Sequence, residues 1–144
     1  MRLPSEPTPG MVLRYRYLWT DEHQRGAEEG RKARPVVVVL ARAVVNGSLV
    51  VTVAPITHSV PRDAARAVRM PPTVKRRLGL DDEASWIVTD EVNAFVWPGP
   101  DLAPIGGDRA DDTVFGTVPQ RLLSAIAISI QSNRERLRLV KRSS

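Results

Sequence analysis

Apolar residues in this chain gather into short runs. The best organised are residues 36–40 and residues 50–56, separated by a polar segment that contains Asn46-Gly47. Two β-branched runs around an Asn-Gly pair predict an antiparallel hairpin with a tight turn, because both turn residues must accept positive φ. Residues 36–40 are apolar without alternation, which predicts a strand covered on both faces. Polar chemistry is confined to the ends: Arg34 precedes the first strand, and Thr57-His58-Ser59 closes the second. Antiparallel pairing sets those ends side by side. A guanidinium, two hydroxyls and an imidazole thus converge at one rim of a stiff, buried element, and that rim is the first place to look for function.

Around this hairpin the pattern predicts further short elements. In residues 10–17, Val12, Arg14 and Arg16 alternate against Leu13, Tyr15 and Tyr17, the period of a half-buried strand. Residues 18–33 are polar and aperiodic and read as a long loop, a feature that in a compact domain is usually functional or mobile. Residues 60–67 read as a loop opened by Pro61, and residues 67–70 as a short edge strand stopped by Pro71-Pro72. Residues 73–78 should form one or two helical turns ended by Gly79. An acidic turn, Asp81-Asp82-Glu83, leads into a β-prone stretch at 85–96 with a bend at Asp90-Glu91. Residues 97–112 read as a Pro-, Gly- and Asp-rich loop, and residues 113–118 as one more strand. Thr117-Val118-Pro119-Gln120 matches a capping box with a proline in the first turn. A helical stripe of Leu122, Leu123, Ile126, Ala127 and Ile130 follows. Leu137 and Val140 extend it, and Arg134, Arg136, Arg138, Lys141 and Arg142 suit a helix C-terminus. Short strands, tight turns and no strand–helix alternation predict a mainly β fold with a C-terminal α-helix, built as a small antiparallel barrel. Residues 1–9 read as a flexible proline-rich leader, 10–140 as a single domain and 141–144 as a basic tail.

Composition narrows the chemistry. The chain has 144 residues, 42% apolar and 26% charged, which fits one globular domain with a core of its own. It has no cysteine, so disulfide frameworks and thiolate zinc sites are excluded. His23 and His58 are its only histidines, too few for a nitrogen-rich metal site. No metal or other cofactor is expected. No run of about 18 apolar residues could span a membrane, and residues 1–10 lack the apolar centre of a signal peptide. A soluble cytoplasmic protein is expected. The net charge of +5 and pI of about 10.4 favour an anionic partner, either nucleic acid or an acidic protein segment. Many basic proteins bind neither, however, and much of the surplus lies in residues 134–144, where a solvated tail is the simpler reading.

The order of motifs carries a resemblance. Pro9-Gly10-Met11-Val12-Leu13, then a charged loop, Arg34-Pro35 before a valine strand and Ala54-Pro55-Ile56-Thr57 together resemble the PemK/MazF toxins of bacterial toxin–antitoxin pairs. Gly79-Leu80, the segment from Ser85 to Val92 and Phe115-Gly116-Thr117-Val118 are similar as well, so the resemblance covers roughly residues 9–130. It implies an SH3-like antiparallel barrel with a terminal helix, usually a homodimer. It also implies metal-independent, sequence-specific cleavage of single-stranded RNA, inhibited by a cognate antitoxin.

Such cleavage uses the 2′-OH as nucleophile, and needs a base, an acid for the leaving oxygen, and positive charge or donors around the phosphorane. Arg34 fits the charge role, and the resemblance places the catalytic arginine before the same proline; an arginine at a strand start can equally be a surface ion pair. Thr57 fits a phosphate-positioning donor, or an ordinary turn cap. His58 has suitable chemistry for proton transfer, but alternation sets it opposite Thr57 if the strand continues. Glu28 or Glu29 corresponds to the acidic residue before Arg-Pro, in a loop one residue longer than the family pattern. Ser59, Arg31, Lys32 and His23 are candidate RNA contacts. Asp90 sits where some family members have an active-site aspartate, although their arginine two residues earlier is Val88 here. It could instead hold the bend after the strand. Trp97, in Trp-Pro-Gly-Pro, is the most exposed of the candidate base-stacking rings; Trp19, Tyr15 and Tyr17 are others, and Trp86 reads as core. The alternatives to an endoribonuclease are a non-catalytic barrel that binds RNA or a partner protein, and a basic barrel that docks an acidic segment.

Overall fold

The computed structural model describes residues 1–4, 6–26, 32–44 and 46–142, and shows a mainly antiparallel sheet with a few helices. β1 (Met11–Tyr15) lies between β2 (Arg34–Ala43) and β7 (Val114–Thr117), and β2 pairs along its length with β3 (Leu49–Thr57). β3 then divides its outer edge. Residues 50–53 pair with β6 (Glu91–Val96), whereas Ile56 and Thr57 pair with β5 (Trp86–Val88), which carries β4 (Ala67–Arg69) on its far side. Between the two ladders sit Ala54 and Pro55. Proline has no N–H to give a neighbouring strand, so the partner chain can leave the ladder here and turn through Thr89 and Asp90. Among the described residues the ladder stays open: β4 and β7 each have one strand neighbour, as does β8 (Arg138–Lys141), which runs parallel to β6.

The central hairpin is covered on both faces over residues 36–38, as the apolar run predicts, but not to the end of that run, where Leu40 is exposed. Val37, Ala54 and Ile56 face one core, closed by α2 (Pro72–Leu78) through Val74 and Leu78 and by α3 (Gln120–Ser132) through Leu122 and Ile126. Val36, Val38, Val51 and Val53 face a second core with Tyr15, Tyr17, Phe95 and Leu102. Tyr15 stacks on Phe95 with ring centroids 4.6 Å apart, so the two tyrosines offered as base-stacking surfaces are core residues. Gly116 is required by the packing of α2: a Cβ there would lie 2.7 Å from Leu78 Cδ2, and its φ of +148° is one that side chains disfavour.

Several local expectations are corrected. The Asn46-Gly47 segment is not a two-residue turn. β2 ends at Ala43 and β3 starts at Leu49, only Gly47 takes positive φ (83°), and the Asn46 side chain instead accepts from Ser48 N–H at 3.1 Å. The loop before Arg34 contains a short helix, α1 (Thr20–Gln24), begun by Glu22 Oε1 reaching back to Trp19 N–H at 3.2 Å. That single-turn device leaves no periodicity to read. Thr117 does not cap α3, because it belongs to β7 opposite Met11; Pro119 takes the cap position without a side-chain bond. Finally, the basic end neither extends the helix nor trails into solvent. Residues 138–141 form β8 and Arg142 is buried.

Residues 17–20 are fastened over this end of the sheet by polar bonds. Asn93 exchanges hydrogen bonds with the backbone of Leu18, at 2.9 and 2.8 Å. The buried Glu91 carboxylate accepts from Tyr17 O–H (3.1 Å), Thr20 N–H (3.1 Å) and Thr20 O–H (3.2 Å). Burial raises the Glu91 pKa above its ordinary 4.5, against the lowering effect of those donors. A carboxyl whose pKa is raised by folding holds its proton more tightly folded than unfolded, so stability falls as pH rises from below 4.5 through the folded-state value. Glu91→Gln keeps the acceptor and removes the titration. Urea melts from acidic to neutral pH should therefore show the wild type losing stability relative to Glu91→Gln as pH rises; a constant difference would refute the assignment.

Candidate functional site

The register Val36 to Pro55, continued two residues outward, sets Arg34 opposite Thr57. Both line a hollow of about 250 Å³ together with Lys32, His58, Lys75 and Asp81. Thr57 also lines a second, larger hollow of about 560 Å³, whose walls include Trp19, Ser59, Arg62, Arg66 and Asp90. Thr57 is therefore a ridge between two adjoining depressions, and the polar rim expected from the sequence is present with one residue on each side of it: His58 on the smaller, Ser59 on the larger.

Arg34 is half-buried, with its guanidinium carbon 5.0 Å from the centre of the Trp19 ring. Its Nε is buried with no hydrogen-bond partner among the described residues. Burial lowers its pKa, partly offset by Glu22 and Tyr17, but an arginine stays ionised over any working pH. The cation–π contact with the indole holds the guanidinium near the ring face without using its N–H donors. Thr57 Oγ1 accepts from Ser59 N–H at 3.1 Å, which ends the strand in a side-chain turn, and among the described residues its hydroxyl hydrogen takes no partner and can donate. That turn explains where His58 lies. The strand stops at Thr57, so alternation no longer applies, and His58 joins Thr57 and Arg34 on the smaller hollow.

His58 is engaged on both sides: Nε2 is 2.8 Å from Asp81 Oδ2, and Nδ1 is 3.2 Å from Glu83 Oε2. The buried Lys75 ammonium stands 2.5 Å from Asp81 Oδ1 and donates to Ser85 Oγ at 2.7 Å and to the Glu83 carbonyl. Desolvation would raise the Asp81 pKa, yet Lys75 and His58 outweigh it and hold the carboxyl below its ordinary range. The ligand atoms of His58, Asp81 and Glu83 lie within 4.8 Å of one another, a spacing a divalent cation could bridge, although Lys75 already neutralises Asp81.

Among the described residues the Asp90 side chain does not bond the bend it sits in; its Oδ2 pairs with Arg66 Nη1 at 3.3 Å. Lys32 is exposed at the edge of the smaller hollow. His23 is exposed on α1 and lines neither depression. The backbone N–H of Trp97 donates to Leu49 O, at the opposite end of β3 from Thr57, a separation of about 26 Å along a nine-residue strand. The structure therefore does not bring Trp97 to this rim, and Trp19 is the tryptophan beside Arg34. Trp86 is half-buried beneath Arg69, whose guanidinium carbon is 5.8 Å from its ring. Glu28 and Arg31 lie outside the described residues.

Sequence reasoning singled out neither Arg66 nor the Lys75–Asp81 pair. The spacing Asp63-x-x-Arg66 was the only signal for the first, and Lys75 sits within an otherwise ordinary amphipathic turn.

No curated protein matches the chain. The sequence model of a family described as PemK-like, MazF-like toxin of type II toxin–antitoxin systems matches residues 16–96, a span that contains Trp19, Arg34, Thr57, Arg66 and Asp90.

Proposed function

The chain belongs to the PemK-like, MazF-like toxins of type II toxin–antitoxin systems, and from that premise we propose that it is a metal-independent, sequence-specific endoribonuclease acting on single-stranded RNA and inhibited by a cognate antitoxin. The observation that carries this reading is the arrangement at the Thr57 ridge. An arginine lying over an indole stands opposite a threonine whose hydroxyl hydrogen makes no bond among the described residues, and that threonine separates two adjoining hollows.

In this reading the scissile phosphate lies over the ridge. The 2′-oxygen attacks phosphorus as its proton leaves, the bond to the 5′-oxygen breaks as that oxygen gains a proton, and the products are a 2′,3′-cyclic phosphate and a 5′-hydroxyl. Arg34 donates to the non-bridging oxygens, where negative charge accumulates, and Thr57 adds a neutral donor. Lys32 adds positive charge at the edge of the smaller hollow, and Glu28, for proton transfer, and Arg31, for an RNA contact, stay candidates from the sequence. Within the same proposal the bent sheet is the family's SH3-like barrel, the protein is a cytoplasmic homodimer, and an acidic antitoxin segment occupies the rim in place of phosphates.

A binding-only reading draws on one observation: both His58 nitrogens face carboxylates, so the imidazole is not free to accept the 2′-proton. The two readings part on an all-ribose RNA, which the nuclease cuts and a binding protein leaves intact, and the deoxy substrate then tests the route of cleavage. A single 2′-deoxynucleotide on the 5′ side of the cleaved bond should abolish cleavage at that bond while leaving oligonucleotide binding within about threefold. Cleavage at the deoxy position would refute the 2′-OH mechanism.

A further inference from the structure

The larger hollow has no part in the chemistry assigned to Arg34, yet it is the roomier one and it holds a guanidinium that is already positioned. Arg66 ends a 3-10 turn, Ala64–Arg66, in which Asp63 Oδ1 accepts from Ala65 N–H at 3.0 Å. Its Nε is 3.2 Å from Asp63 Oδ2 and its Nη1 is 3.3 Å from Asp90 Oδ2. Among the described residues no bond is made by Nη2. The backbone beneath it is pinned as well. Thr89 N–H donates to Arg66 O at 2.9 Å, and the buried Asn133 at the end of α3 donates to Ala65 O at 3.0 Å and to Thr89 Oγ1 at 3.2 Å.

This is more positioning than a surface arginine needs for stability, since exposed ion pairs contribute little. It does what a binding site requires, because an arginine held on one edge loses little freedom when its other edge takes a ligand. The surrounding charge fits an anion. Arg62, Arg66 and Arg136 stand against Asp63 and Asp90, with Arg136 Nη1 3.6 Å from Asp63 Oδ2. Position suggests the ligand: the hollow shares Thr57 with the Arg34 side, so an anion bound at Arg66 lies across Thr57 from an anion bound at Arg34.

We propose that the larger hollow is a second nucleotide subsite, in which Arg66 binds the RNA phosphate next to the scissile one, held for that task by Asp63 and Asp90. This rests on the RNA reading above and adds to it a residue and a subsite. Arg66 does not take part in bond breaking in this assignment; it anchors the strand.

The test measures binding without cleavage. A short, single-stranded, uniformly 2′-O-methylated RNA of mixed sequence lacks the nucleophile, and its affinity can be followed by fluorescence anisotropy over a series of salt concentrations. Each phosphate neutralised on a single strand contributes about 0.7 to the slope of log K against log salt. Arg66→Gln should lower affinity about tenfold and reduce that slope by about 0.7, and Arg66→Lys should restore the slope. Arg77→Gln, which removes another exposed arginine, on α2 and outside both hollows, should change neither. A slope and affinity for Arg66→Gln equal to wild type would overturn the assignment, and so would equal losses in Arg66→Gln and Arg77→Gln, which would report net charge alone. Should Arg66→Gln lose its cooperative melt, the wild type decides: the same RNA should protect the exposed Arg66 from modification by phenylglyoxal, and modification of Arg66 unchanged by RNA would overturn the assignment. A wild type that binds no RNA would fail the underlying reading instead.

Discussion

Arg34→Ala should lower the rate of RNA cleavage by about a thousandfold, with little change in stability. Removing one preorganised donor from a site of developing charge costs about 10²–10³ in rate, and a full charge belongs at the upper end; three decades correspond to about 4 kcal/mol of transition-state stabilisation. Stability should change little because the guanidinium lies over Trp19, and its buried Nε has no partner among the described residues. Alanine therefore removes an unsatisfied buried polar atom along with the stacking contact, and the two effects oppose each other. Arg34→Lys keeps a charge but loses the planar fork and its fit on the indole, so it should recover only about tenfold of the loss. Single-turnover cleavage of one defined RNA by the three proteins, with a thermal melt of each, provides the check. An Arg34→Ala rate within about threefold of wild type would remove Arg34 from the site.

Arg142→Met should destabilise the fold by about 3–5 kcal/mol, the cost of breaking a buried ion pair from one side. The Arg142 side chain is 2% exposed and pairs with Asp101 at 2.9 Å. It also donates to Arg16 O at 2.7 Å and Asn93 Oδ1 at 3.1 Å, and lies 5.5 Å from the centre of the Tyr15 ring. The single residue ties β8 to the chain leaving β1 and to the long loop after β6. Methionine leaves Asp101 buried and uncompensated. Asp101→Asn combined with Arg142→Met removes that charge, so the double variant should be more stable than the two single losses added together. Urea unfolding of the four proteins measures this. A loss below about 1 kcal/mol for Arg142→Met would mean the end of the chain carries no structural weight.

The hairpin and its rim were legible because the information is local. A run of valines, a following Pro55-Ile56-Thr57 and an antiparallel register are enough to set Arg34 opposite Thr57. What the sequence concealed depends on pairs far apart in the chain. β8 looked like more of α3 because Leu137 and Val140 fit helical spacing, while its actual anchors are Val140 on β6 and Arg142 on the distant Asp101. Arg66 was passed over because its partner Asp90 lies 24 residues away, and only the β4–β5 pairing brings them together. Trp97 drew attention by its proline- and glycine-rich surroundings, but the short helix that presents Trp19 to Arg34 rests on the single reach of Glu22. His58 was set on the wrong side of Thr57 by alternation, a rule that ends where the Thr57 hydroxyl ends the strand.

Binding by this basic surface would follow from charge alone, whereas cleavage without a metal requires the ridge to do chemistry. The most direct measurement is incubation of purified wild type and Arg34→Ala with a mixed single-stranded RNA in EDTA, with the product ends identified. Cuts at defined sites by the wild type alone, leaving 2′,3′-cyclic phosphate and 5′-hydroxyl ends, are the predicted result. Intact RNA with folded wild type, or equal cleavage by both proteins, would contradict it.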